Sequence, residues 1–197
     1  RDCVLTIGNF DGVHLGHQAV LRQVKAIAAS LNLPAVVMVF EPQPLELFKP
    51  EAAPARLTRF REKYHWLASL GLDRLLCVNF NAEFAAQDPQ LFIEQLLLGK
   101  LGVHHLIVGD DFCFGKNRAG NFALLQQAAA QFGFGLTSTA SLKQDDKRVS
   151  STLVRQALEH NELKLAEQML GRPFSLMGRV RHGQKVGRQL GFPTAIV

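Results

Sequence analysis

Cysteine is scarce in this sequence: Cys3, Cys77 and Cys113 are the only three in 197 residues. They are too few and too scattered for a disulfide framework or a zinc site. They suit a reducing cytosol, where free cysteine is a small apolar residue. Long apolar runs are missing too. The longest, Ala35 to Phe40, has strand length, far below the ~18 residues of a membrane-spanning helix. Acid is not in excess, since 22 Lys and Arg stand against 17 Asp and Glu for a formal charge of +5. The basic residues are dispersed, with no stripe interleaved with aromatics. That argues against a nucleic-acid surface and for small anionic ligands and solvated faces. No internal repeat or low-complexity tract occurs. What is present is ordinary globular material, 47% apolar and 20% charged, which rules out a disordered chain. The length allows one large domain, or one domain and part of another. Residue 1 is Arg, inside an apolar stretch, and the last residues also read as an interior. The sequence is therefore expected to be a piece of a longer protein, and its start says nothing about a leader peptide.

Apolar periodicity alternates between two kinds. Cys3–Ile7, Ala35–Phe40, Leu75–Val78, His105–Val108 and Leu136–Thr139 are short runs of strand length. Between them, Val20, Val24, Ile27, Ala28 and Leu31 share one face of a helix. Thr58–Leu70 reads as a helix with Gly71 at its end, and Asp88-Pro89 opens another that runs to Leu101. Leu125, Ala128, Ala129 and Phe132 mark a further helix, closed by Gly133. Ser151–Glu159 and Glu162–Leu170 are two short helices. Strands alternating with helices predict an α/β fold, a Rossmann-like doubly wound parallel sheet with helices on both faces. Gly171-Arg172-Pro173 reads as a domain boundary, after which glycines and basic residues alternate.

The densest chemical signal is Gly8-Asn9-Phe10-Asp11-Gly12-Val13-His14-Leu15-Gly16-His17, between the first strand and the first helix. Ligands of open parallel sheets bind at the carboxyl ends of strands. The glycines permit close backbone approach, and the helix start offers free N–H groups to an anion. His14 and His17, one turn apart, could both face phosphate oxygens as charge builds in a transition state. The pair could instead bind a metal, but no third ligand lies nearby in sequence. The glycines could serve a tight turn alone. The dinucleotide fingerprint fails on spacing.

Three other segments follow strands or open helices. Ser150-Ser151-Thr152 with Arg155 one turn on makes a second anion site, or else a plain helix cap with a solvated arginine. Gly109 to Gly120, with Asp110, Asp111, Phe112 and Phe114, could hydrogen-bond and stack a flat polar ring, or be a long surface loop. Phe40-Glu41-Pro42-Gln43-Pro44 is a stiff loop that could be only a rigid turn.

Taken in order, these four segments closely resemble the bacterial bifunctional riboflavin kinase/FAD synthetase family, over nearly the whole chain. The resemblance implies that residues 1–172 form an FMN adenylyltransferase domain, joining FMN and ATP into FAD and pyrophosphate with Mg²⁺ carried by ATP. His14, His17 and Arg155 would be its catalytic residues. Gly8, Asn9, Phe10, Asp11, Gly16, Ser150, Ser151 and Thr152 would bind ATP. Pro42, Gln43, Pro44, Asp111, Phe112 and Phe114 would line the flavin side. No side chain of this domain is expected to hold a metal. Residues 173–197 resemble the incomplete beginning of the riboflavin kinase β-barrel, with Thr194 at a Mg²⁺ position. That kinase activity, phosphorylating riboflavin, is expected only of the intact parent. This chain departs from the family pattern at Ile196, where relatives carry Asn, and at Gln43 and Cys113, often His and Arg.

Three rival readings stand beside this one: an adenylyltransferase acting on a pantetheine or nicotinamide phosphate, a nucleic-acid-binding module, and a fragment that binds ATP and flavin without turnover. The flavin-type segments at 40–44 and 109–115 count against the first, and the dispersed charge against the second. The expected protein is cytoplasmic, with neither nucleic acid nor a membrane as partner.

Overall fold

The computed structural model describes residues 1–139, 149–180 and 191–192. Five strands form one all-parallel sheet in the order β3-β2-β1-β4-β5. They are β1 (Cys3–Ile7), β2 (Ala35–Glu41), β3 (Arg74–Asn79), β4 (Val103–Val108) and β5 (Gly135–Ser138). The strand runs read from sequence are all present, each within two residues of its expected ends. All five residues of β1 are buried, as befits a central strand covered on both faces. Their side chains alternate. Cys3, Leu5 and Ile7 join one core with Met38, Phe40, Leu106 and Val108, while Val4 faces the other with Ala35 and Ile107.

Helices cover both faces. On one, α1 (Leu15–Leu31) buries Leu21, Val24 and Ala28, and α3 (Phe60–Ser69) buries Leu67. On the other, α6 (Phe122–Phe132) buries Leu125 and Ala128. Beside it runs α5 (Pro89–Leu91), whose continuation Phe92–Leu101 winds in wider turns with π-type hydrogen bonds. The Asp88 carboxylate caps this helix, accepting from Gln90 N at 2.8 Å, with Pro89 in the first turn. The last two helices, α7 (Ser151–Glu159) and α8 (Leu163–Leu170), pack as a pair on Leu57 through Val154, Ala157, Ala166 and Leu170.

Two short helices escaped the periodicity: α2 (Pro44–Phe48) and α4 (Ala82–Ala85). Four or five residues make barely one turn, too little for an apolar stripe to register. The Pro42–Pro44 segment is therefore not only a stiff loop. Pro44 is the first residue of α2, after a cis Glu41–Pro42 peptide. Residues 173–180 are described without regular structure. The kinase-like positions Thr194 and Ile196 lie outside the described residues.

Candidate active site

β1 has β2 on one side and β4 on the other. The chain thus leaves β1 at the point where strand order reverses, the usual ligand crevice of a doubly wound sheet. Three of the four sequence segments follow the carboxyl ends of β1, β2 and β4, three adjacent strands, and so share one edge of the sheet.

The loop after β1 is tightly wound. Phe10, Gly12 and Val13 all take positive φ, at 48°, 80° and 43°. Such a backbone is unusual for Phe and more so for a β-branched Val. Glycine suits position 12, where φ is 80° and a Cβ would lie 2.8 Å from Leu57 Cδ1. The loop is held by Asp11, which is 3% exposed. Its carboxylate accepts from Leu57 N at 3.0 Å and from Thr58 N and Oγ1 at 3.0 and 3.1 Å. It also pairs with the Arg155 guanidinium. Thr58 Oγ1 accepts in turn from Gly12 N at 3.0 Å.

The helix then starts at His14. Its Nδ1 accepts from His17 N at 3.3 Å, the capping role more often taken by Ser or Asp. That bond leaves the neutral ring's proton on Nε2. The His14 and His17 rings stack at 3.6 Å, 17° from parallel, and Phe10 lies 4.9 Å from His17. Gly16 permits this crowding, since a Cβ there would sit 3.1 Å from the His14 ring and 3.2 Å from Val149 O. His17 Nδ1 is buried and has no hydrogen-bond partner among the described residues. Burial pushes the His14 imidazole down to about 4, against the upward pull of Asp11 and with help from Arg155 and Arg172. Burial, then His14 and Lys63, also pushes His17 well below its usual range. Near neutral pH both rings are uncharged donors at a helix N-terminus.

A measurable consequence follows for His14. Its folded-state value of about 4 lies below the ordinary 6.5, so between the two the unfolded chain binds the proton and the folded chain does not. Stability is then lost as pH falls from 6.5 toward 4, by on the order of 3 kcal/mol for so large a displacement. Below that range the loss from this group stops. Urea unfolding across the window should show the decline in the native chain and a shallower one in His14→Ser. Parallel curves for the two would remove His14 as its cause.

Segments far apart in sequence meet at Asp11. Ser151 Oγ donates to Asp11 O at 2.9 Å across 140 positions. Ser150 caps α7, accepting from Leu153 N at 3.3 Å, while Thr152 is exposed. Arg155 is not a free fork: it engages Asp11 and donates to Ala55 O at 2.6 Å. The second anion segment is therefore brought to the first through Asp11. The flavin-side segments stand on the neighbouring strands. Gln43 is 7% exposed, and its buried Nε2 has no partner among the described residues. Asp111 is exposed. Phe114 lies in the core against Phe92, and half-buried Phe112 stacks on it at 5.5 Å. The Phe114 ring is thus part of the core, while Phe112 stays partly exposed.

Four residues of this edge were not singled out in the sequence. Arg56 bridges Glu41 and Glu46 beside Gln43, and the Arg56 hydrogen bond holds the Glu46 carboxyl below its usual range. Lys63 is fully buried, its Nζ 3.4 Å from Glu41. Thr58 secures Asp11, and Arg172 grips the loop's carbonyls. Lys63 left a signal, a charge four residues before Leu67 on the apolar face of α3; the others left none.

Residues 1–153 match the sequence model of FAD synthetase. The chain belongs to the FAD synthetase family. Residues 170–197 of this family member match the model of riboflavin kinase. The chain is 55% identical over 195 residues to the bifunctional riboflavin kinase/FMN adenylyltransferase of Escherichia coli strain K12, covering 99% of this chain and 62% of that protein. The Haemophilus influenzae protein of the same name is 51% identical, with 99% and 63% covered. The Pseudomonas fluorescens one is 50% identical, with 100% and 63% covered. The chain thus spans just over three fifths of the curated relatives it matches. A crystal structure titled macrolide-efflux protein, from Streptococcus pneumoniae, superposes with a TM-score of 0.75 at 27% identity, covering 98% of this chain and 63% of that one. Among the described residues no helix is long and apolar enough to cross a membrane.

Proposed function

We propose that this chain transfers the adenylyl group of ATP to FMN, forming FAD and releasing pyrophosphate. The observation that carries the reading is the pair of uncharged, stacked imidazoles at the start of α1, one with a buried nitrogen that has no partner among the described residues, at the switch point of a FAD synthetase-family sheet. An FMN phosphate oxygen attacks the α-phosphorus of ATP, the new P–O bond forms, and the bond to the β-phosphate oxygen breaks. No protein nucleophile is required. The protein's part is to place two anions in line and to stabilise the charge that shifts onto the leaving pyrophosphate.

His14 and His17 donate N–H groups to the phosphates. Backbone groups from Gly8 to Asp11, with Gly16, let the nucleotide approach closely. Ser150, Ser151 and Thr152 close the second side, and Arg155 supplies positive charge from a place fixed by Asp11 and Ala55. The flavin lies toward Pro42, Gln43, Pro44, Asp111 and Phe112, with Phe114 supporting from beneath. Among the described residues no group of three or more His, Cys, Asp or Glu is arranged to hold a metal ion. Asp11, the carboxylate within the loop, is already committed to four donors. Magnesium enters with the substrate, as Mg-ATP. Residues 1–172 are the adenylyltransferase domain and 173–197 the beginning of a riboflavin kinase domain, so the intact parent also makes FMN from riboflavin. The setting is the cytoplasm, and the reading needs neither nucleic acid nor a membrane.

The test is direct. Purified protein given Mg-ATP and FMN should yield FAD and pyrophosphate by chromatography. Dephospho-coenzyme A or NAD from the matching precursors, without FAD, would overturn the assignment.

A further inference from the structure

Arg172 lies where the sequence marks a domain boundary, just past α8 and 160 positions from the loop it touches. Its Nη2 donates to Gly12 O at 2.7 Å, and its Nη1 reaches Leu170 O at 3.3 Å and Val13 O at 3.4 Å. The guanidinium lies 4.1 Å from the centroid of the Trp66 ring on α3. Gln18 Nε2 reinforces the grip, donating to Val13 O and Leu170 O at 3.0 Å each. The carbonyls held this way belong to Gly12 and to Val13, a β-branched residue at φ 43°. Positive φ at a non-glycine residue persists only where the surroundings over-determine it.

Peptide geometry makes this grip directional. In a trans peptide the C=O and the following N–H point in opposite directions. Tying the Gly12 and Val13 carbonyls toward Arg172 and Gln18 aims the amides of Val13 and His14 the other way and fixes where the His14 ring begins. The chain beyond Arg172 is anchored as well. Phe174 packs against the Leu57 and Leu170 cluster, and Met177 N donates to Glu62 Oε1 at 2.6 Å.

We propose that Arg172 is a positioning residue of the phosphate loop: by fixing the Gly12 and Val13 carbonyls against Trp66, it sets the placement of His14 and hence the handling of ATP. It touches no reacting atom. The segment that opens toward the second domain thereby governs the nucleotide site of the first. The proposal rests on the adenylyltransferase reading for its turnover readout but not for its binding readout.

The experiment uses the full chain with Arg172→Gln and Arg172→Lys. Trp66 is the only tryptophan, so its fluorescence reports the stacked guanidinium directly. In the native chain, Mg-ATP should change Trp66 emission, and in Arg172→Gln that response should be lost. Arg172→Gln should raise the KM for ATP and weaken Mg-ATP binding by calorimetry roughly 10- to 100-fold, the scale of a small misplacement at a catalytic loop. The KM for FMN should stay within about twofold. Arg172→Lys keeps one donor and the charge but not the planar fork, and should recover part of the loss. A merely structural arginine would lower the melting temperature or the active fraction and leave the KM for ATP unchanged; that result would overturn the proposal. If Arg172→Gln does not fold, Arg172→Lys decides by the same ratio of KM values. If the native chain makes no FAD yet binds Mg-ATP, the adenylyl-transfer reading falls and calorimetry still decides on Arg172. If it binds no Mg-ATP, both fall.

Discussion

His17→Ala should lower the turnover of FMN to FAD by about 10²–10³, the usual cost of removing one donor aimed at developing charge. The chain should still fold. Among the described residues His17 Nδ1 has no partner to orphan, and the ring packs against those of His14 and Phe10. His14→Ala should cost as much in rate and something in stability besides, because His14 Nδ1 is also the cap that receives His17 N. Loss of such a cap is typically worth ~1 kcal/mol. The two roles separate with His14→Ser, which restores a capping oxygen without the imidazole. Its melting temperature should return toward that of the native chain while turnover stays as low as in the alanine variant. Should His14→Ser recover turnover, the imidazole is a helix cap and not a phosphate donor. Near-native rates in both alanine variants would remove the histidines from the mechanism altogether.

The fold was legible because its signals are local. Ala35 to Phe40 reads as a covered strand, and Asp88-Pro89 and Ser150-Ser151 announce helix starts that the backbone adopts. What periodicity does not carry is strand order, which depends on contacts between distant segments, or the wider winding of Phe92–Leu101, whose apolar residues read the same in either helix. The site was legible in part for the same reason. Gly8 to His17 is a continuous stretch with its chemistry in sequence. The residues that hold it are not continuous: Thr58 arrives from the start of α3 and Arg172 from beyond α8, and neither type nor spacing distinguishes them from surface residues. Arg155 shows the converse. Its position one turn into α7 suggested a fork open to an anion, but a buried carboxylate 144 positions away occupies that fork. Phe114 likewise read as a stacking surface, because a sequence does not say which side of an aromatic ring the core has taken.

That carboxylate is where the largest loss of stability is expected. Asp11→Ala should destabilise the chain by about 3–5 kcal/mol, the range for removing one partner of a buried ion pair. The reason lies in what remains. Asp11 is 3% exposed, and its removal leaves the amides of Leu57 and Thr58 and the Arg155 guanidinium without their acceptor. Against a total stability of roughly 5–15 kcal/mol, that is a large fraction, and the loop would lose its geometry before the sheet does. Arg155→Ala should cost less, because the Asp11 carboxylate keeps its three donors from residues 57 and 58. Asp11→Asn should fall between, keeping an acceptor oxygen but turning amide hydrogens toward a cation. Urea unfolding of the two alanine variants and the double variant completes a cycle whose coupling energy isolates the pair. A cost under ~1 kcal/mol for Asp11→Ala would mean that the loop's shape is set elsewhere, and that Arg155 is free to turn toward the nucleotide.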